Sequence, residues 1–168
     1  MPKYRLLTEE ELKQLEGVFI NFLAANSITA SDWERIKKED KEKMNSLIKQ
    51  FSDVVFEKTL ANVELLEKRL SNKLLMYKFS NEDIVLLGME IIGDSPMDFR
   101  EEFNISQLAE LFENENLNIS FIIGTKPMFE DKKKEIFDLM ETGAMISQNK
   151  ELFTALEKLK NVYGEKSE

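Results

Sequence analysis

Five carboxylates crowd the end of one apolar run, and they are the first place where this sequence could do chemistry: Glu90, Asp94, Asp98, Glu101 and Glu102. Hard cations such as Mg²⁺ take oxygen ligands, so a crowd of Asp and Glu at the end of a rigid element is a place to look for one. The spacing matches no known ligand set, however, and a chain with 32 acidic residues must cluster some of them. The loop reads as a solvated acidic loop, and no metal or cofactor is assigned. Gly88 and Gly93 are spaced like the glycines of a phosphate loop, but Asp94 stands where a lysine is needed and would repel a phosphate. The better anion candidate is Gly124-Thr125-Lys126, placed after an apolar strand and before an expected helix whose free N–H groups could receive a phosphate or carboxylate.

The rest of the catalytic repertoire is narrow. Histidine and cysteine are both absent. That removes the usual base near neutral pH, the Ser-His and Cys-His nucleophile pairs, thiol redox chemistry and His- or Cys-ligated metals. No catalytic residues are assigned, and the balance is against an enzyme. Large apolar side chains in unpatterned sequence point instead to contact with a partner, since interfaces are enriched in Phe and Met. Met97, Phe99 and Phe103 lie in such a stretch, and Trp33 is the single tryptophan. These four are the candidate docking residues, although each would equally serve to anchor its own segment to the core.

The elements that position these groups follow from caps and periodicity. Thr8 with Glu11 forms a capping box, and Leu12, Leu15, Phe19, Phe22 and Leu23 continue from it as one helical stripe ending near Asn26-Ser27. Ser31 with Glu34 repeats the pattern and opens a helix carrying Trp33 and Ile36. Met44, Leu47, Ile48, Phe51 and Val55 form a further stripe, with Ser52-Asp53 as an open choice between one helix and two. Residues 61–70 fit a helix or a strand, and strand is favoured. Leu75, Tyr77 and Phe79 alternate, Asn81-Glu82-Asp83 turns the chain, and Ile84 to Ile92 is almost continuously apolar, which predicts a hairpin whose second strand needs cover on both faces.

Gly93 to Pro96 ends that strand, and Asn104 with Gln107 caps a short helix. Leu117 to Gly124 reads as a strand, Pro127 as the first turn of a helix striped by Phe129, Ile136, Phe137 and Met140 and closed at Gly143. A last helix runs from about Asn149 to Tyr163, and Glu165 to Glu168 reads as a frayed tail. The fold class is therefore α+β: amino-terminal helices, a sheet of three to four strands that includes a hairpin, and carboxy-terminal helices. The whole chain is expected to form one domain, with a helical layer at 1–60, a sheet-containing part at 61–125 and two helices at 127–164.

Composition sets the remaining limits. At 168 residues, 42% hydrophobic and 33% charged, the chain has an ordinary globular balance and enough length to bury a core without staples. No run is long and apolar enough for a membrane span, and no apolar signal core follows Met1-Pro2-Lys3-Tyr4-Arg5, so the cytoplasm is the expected compartment. A net charge of −9 opposes the phosphate backbone, and no nucleic-acid partner is expected. Lys37, Lys38, Lys41 and Lys43 alternate with acids and read as a solvated helix surface.

Four segments carry a likeness to known sequences: Tyr4 to Leu12, Phe19 to Asn26, Asp32-Trp33-Glu34 and Phe51 to Lys58. Over this first third the chain resembles a bacterial family of small proteins of unknown function. The resemblance implies a bacterial, intracellular, stand-alone protein and assigns no chemistry. The resulting expectation is a non-enzymatic interaction or accessory protein that docks on a larger assembly or self-associates. The alternative is a small-anion-binding protein or Mg-dependent enzyme acting on a phosphorylated or carboxylated metabolite, which would need residues 94–102 and 124–126 to share a pocket.

Overall fold

The computed structural model describes residues 2–128 and 131–164. The chain divides into two compact units, Met1–Asn62 and Val63–Glu168. Phe129 and the tail Glu165 to Glu168 lie outside the described residues.

The first unit is helical. The Thr8–Glu11 capping box forms as the spacing predicts, with Thr8 Oγ1 accepting from Glu11 N–H at 3.2 Å and Glu11 Oε2 accepting from Thr8 N–H at 2.8 Å. The expected single helix is two, α1 (Glu9–Gln14) and α2 (Glu16–Ala25). At Leu15 the N–H is shared between the carbonyls of Glu11 and Leu12, which tightens the last turn of α1 before Phe19 N–H bonds Leu15 O and the helix resumes. The next helix, α3 (Ala30–Glu39), is capped by Thr29 with Asp32 and not by Ser31 with Glu34. Thr29 is the residue with the extended backbone that an N-cap requires, while Ser31 already lies within the first turn. Finally, α4 (Lys41–Ala61) is one unbroken helix. Ser52 does not restart it because its hydroxyl donates back to Ile48 O at 2.7 Å and accepts the Leu7 N–H at 3.0 Å, tying the amino-terminal segment to the helix. Leu23, Ile36 and Leu47 are buried here with Phe19, Phe22, Ile28, Trp33 and Met44 against them. Phe51, fully buried, receives the rings of Phe19 and Phe22 at 4.9 and 5.3 Å.

The second unit is built on one antiparallel sheet of β1 (Leu65–Arg69), β2 (Lys73–Phe79), β3 (Asp83–Ile92), β4 (Asn118–Pro127) and β5 (Met145–Ile146), in the order β4-β3-β2-β1-β5. The α+β class holds. The strand favoured within 61–70 is present as β1, and the sheet has five strands among the described residues instead of three to four because β5, two residues long, is too short to show alternation. The expected parity of β3 is met: Leu87, Met89 and Ile91 join Leu74 and Met76 in a core covered by Leu108 and Leu111 of α5 (Ile105–Glu113) and Leu152, Phe153 and Leu156 of α7 (Lys150–Tyr163). On the opposite face Gly88 stands between Leu75 and Ile122, so close to β2 that a Cβ there would lie 2.5 Å from Leu74 O. Pro127 closes β4 and does not open a helix; α6 (Lys132–Glu141) starts after its own cap, Asp131. Gly93 and Gly143 stop β3 and α6 with φ of 88° and 109°, a conformation that favours glycine.

Candidate functional site

The acidic loop does not assemble a cation site. Among the described residues no group of three or more Asp or Glu side chains is placed so that it could hold a metal ion. Asp98 instead turns onto Arg100, accepting its N–H at 2.9 Å and its guanidinium at 2.6 Å, and these bonds hold its carboxyl down at about 2. Glu90 faces Lys73 across the β2–β3 ladder at 3.7 Å. A hollow of about 610 Å³ remains here, bordered by Asn72, Gly93, Asp94, Met97, Asp98 and Glu101.

The expected strand-to-helix turn at Gly124-Thr125-Lys126 is not a turn. All three residues lie inside β4, paired with Leu86, Val85 and Ile84, and Lys126 Nζ is bonded to Glu135 of α6 at 3.0 Å. The helix start is further along, where Asp131 accepts the Lys133 N–H at 3.0 Å. The strand continues past Gly124 because β3 already begins at Asp83 and offers it partners as far as Pro127. The register also separates the two loops that a joint anion and Mg²⁺ site would require. Lys126 pairs with the start of β3 and residues 94–102 follow its end, which at the rise of a strand puts them about 25–30 Å apart.

Met97, Phe99 and Phe103 do not make an exposed patch. Phe99 is 0% exposed and belongs to the sheet core, with Met97 and Phe103 packed against that core. Its N–H donates to Ser71 O at 3.1 Å, and Phe103 meets its ring edge-on at 5.7 Å. Arg69 completes the anchor: its guanidinium lies 4.5 Å from the Phe103 ring centre and donates to the carbonyls of Phe99 and Glu101, while it pairs with Glu67. Nothing in the periodicity around Arg69 marks it, since its role is to satisfy carbonyls of a loop distant in sequence.

Trp33 is placed differently. It meets Phe19 edge-on at 5.1 Å and lines an open groove of about 430 Å³ between α2 and α3, with Phe19, Ile20, Leu23, Ala24 and Ile28 as the apolar wall. Ile20 is 57% exposed, a large apolar side chain left in water. Glu16, Glu34 and Lys37 form the rim, and Lys37 is engaged by Glu34 at 2.7 Å, so the carboxylate of Glu16 is the rim's unneutralised charge. The sequence reading took Trp33 but missed Ile20 and Ala24; the signal was present as an apolar pair at helical spacing beside the main stripe of Phe19 and Leu23. Such a groove can receive the apolar side of a short helix.

No helix among the described residues is long and apolar enough to cross a membrane. No curated protein and no solved structure matches the chain significantly. The likeness seen in the first third of the sequence extends through both units, since a family model fits residues 1–161; the chain belongs to the Family of unknown function (DUF6495).

Proposed function

We propose that this chain is a non-enzymatic interaction protein of the cytoplasm, an accessory subunit that docks on a larger bacterial assembly by receiving an amphipathic helix in the α2–α3 groove. The observation that carries the reading is the groove itself: an open apolar trough of about 430 Å³ around the single tryptophan, with Ile20 left 57% exposed. The occupant's chemistry follows from the charges nearby. With Glu16 on the rim and a net charge of −9 on the chain, the fitting partner presents apolar residues at three- and four-residue spacing flanked by Lys or Arg.

Because Trp33 is the only tryptophan, its fluorescence reports the groove without labelling. Titration with a synthetic Leu-striped helical peptide bearing flanking lysines is expected to change Trp33 emission saturably, while the same stripe with flanking glutamates leaves it unchanged. Ile20→Glu is expected to abolish the response. Equal responses to both peptides, or a pull-down from the native cell that captures the same proteins with the parent chain and Ile20→Glu, would overturn the reading.

A further inference from the structure

We infer that β4 is a self-pairing edge: two copies of this chain join antiparallel along β4 and make one continuous sheet. The inference does not depend on the α2–α3 groove. β4 stands at the outer edge of the sheet, with β3 as its single neighbour, and runs for 10 residues. Its ladder parity is fixed by Met128 N–H, which donates to Glu82 O at 2.9 Å just beyond the Asp83–Pro127 pair. Even-numbered residues of β4 therefore direct their peptide groups at β3, and Ile119, Phe121, Ile123 and Thr125 direct theirs away from the sheet. Among the described residues these outward N–H and C=O groups have no hydrogen-bond partner.

A long edge of this kind normally carries a device against pairing, such as inward charges, a bulge or an internal proline. β4 carries such devices only at its last two positions, Lys126 and Pro127, and its register has no bulge. It contains no Asp or Glu, and its one charge, Lys126, is held by Glu135. In a chain of net charge −9, an acid-free strand adds no acidic side chain of its own to the repulsion between copies. The sequence is also self-complementary about Ile122. Antiparallel pairing centred there sets Ile119 opposite Thr125 and Phe121 opposite Ile123 of the second copy, which engages every outward peptide group. Ser120 then faces Gly124, Lys126 faces Asn118, and Ile123, 58% exposed, gains the Phe121 ring as a neighbour. The opposite edge strand, β5, is two residues long and offers no comparable template.

The chain lacks cysteine, so one introduced thiol is an unambiguous reporter. In the proposed register residue 122 faces its own copy in a non-hydrogen-bonded pair with Cα atoms about 4.5 Å apart, within disulfide range. Ile122→Cys is expected to give a disulfide-linked dimer under mild oxidation, while Ser106→Cys on the exposed face of α5 is not. Sedimentation velocity of the full chain is expected to show a concentration-dependent dimer, and Ile123→Lys to give monomer with an unchanged circular dichroism spectrum. A third readout needs no variant: the amides of Ile119, Phe121, Ile123 and Thr125 exchange slowly at high concentration and fast on dilution, while their even-numbered neighbours stay slow. A chain monomeric at every concentration overturns the inference. So does a dimer that survives Ile123→Lys without the alternating amide pattern, or alternating protection that appears only when an extended peptide from another protein is added.

Discussion

In the helical unit Trp33 packs edge-on against Phe19 at 5.1 Å and keeps one side on an open groove; in the sheet unit Phe99 meets Phe103 edge-on at 5.7 Å and is closed to water. The two clusters have similar rings and similar contact geometry, and their backbones explain the different outcome. Residues 97–103 have no regular ladder of their own, so their polar groups must find partners elsewhere. Ser71 O and the Arg69 guanidinium supply them, which draws the loop onto the β1–β2 hairpin and its aromatic rings inward. Helices α2 and α3 satisfy their backbones internally, so nothing requires their second apolar flank, Ile20 and Ala24, to be covered. An apolar cluster on complete helices can stay open, whereas one on an irregular loop is closed by the same bonds that make the loop possible.

The sharpest way to break this comparison is to truncate both rings. Phe99→Ala is expected to cost about 3–5 kcal/mol, read by urea unfolding, because a fully buried ring leaves a cavity. Trp33→Ala is expected to cost less than half as much, since one side of the ring already faces solvent. Equal costs would mean that the groove is a seam of the core and not a binding surface. Next in size is Ser52→Ala, expected at about 1–3 kcal/mol in the same assay, because it leaves the buried Leu7 N–H without an acceptor. Arg69→Lys sharpens the loop side: the ammonium cannot span the Phe99 and Glu101 carbonyls while lying over Phe103, and a loss of about 1 kcal/mol is expected with faster amide exchange at Phe99.

The smallest expected effect is one of pH, and it acts at the helical unit. Two guanidinium bonds from Arg5, with the Thr8 N–H, lower the Glu11 carboxyl from 4.5 to about 2. A carboxyl lowered on folding adds stability that is present above its unfolded value and lost as pH falls through that interval. Glu11 is partly exposed, so the loss is expected to stay below about 1 kcal/mol. Thermal melting of the parent chain and Glu11→Gln should therefore differ near neutral pH and converge in acid.

What could be read from the sequence was whatever local chemistry decides alone. The Thr8–Glu11 and Asn104–Gln107 boxes, the parity of β3, and the stops at Gly93 and Gly143 each depend on a few adjacent residues, and each is present. A cap pattern alone can also mislead: Ser31 with Glu34 has the right spacing, but the helix is capped by Thr29 with Asp32, and only backbone conformation shows it. Where a partner strand decides, local reading failed. β4 runs through Gly124 to Pro127 because β3 pairs with it there, and β5 exists because β1 has a free side. The burial of Phe99 was one of two readings that the sequence left open, and the contact that decides it comes from Arg69, 30 residues away. For the candidate site, Trp33 was visible by its rarity, but the groove needed the placement of α3 beside α2.

The late arrival of β5 matters while the protein is being made. β1 gains its second neighbour only when Met145 and Ile146 pair with Glu67 and Leu66, and Ser147 reaches Glu67 across 80 residues of chain. At a translation rate of about 5–20 residues per second, the nascent β1 waits about 4–16 s with that side unpaired. Glu67, Lys68 and Arg69 make three of its five residues charged, and charged side chains along an unpaired strand discourage another chain from adding to it during this interval. The charges of β1 thus protect a half-made sheet before they take up their places in the finished one.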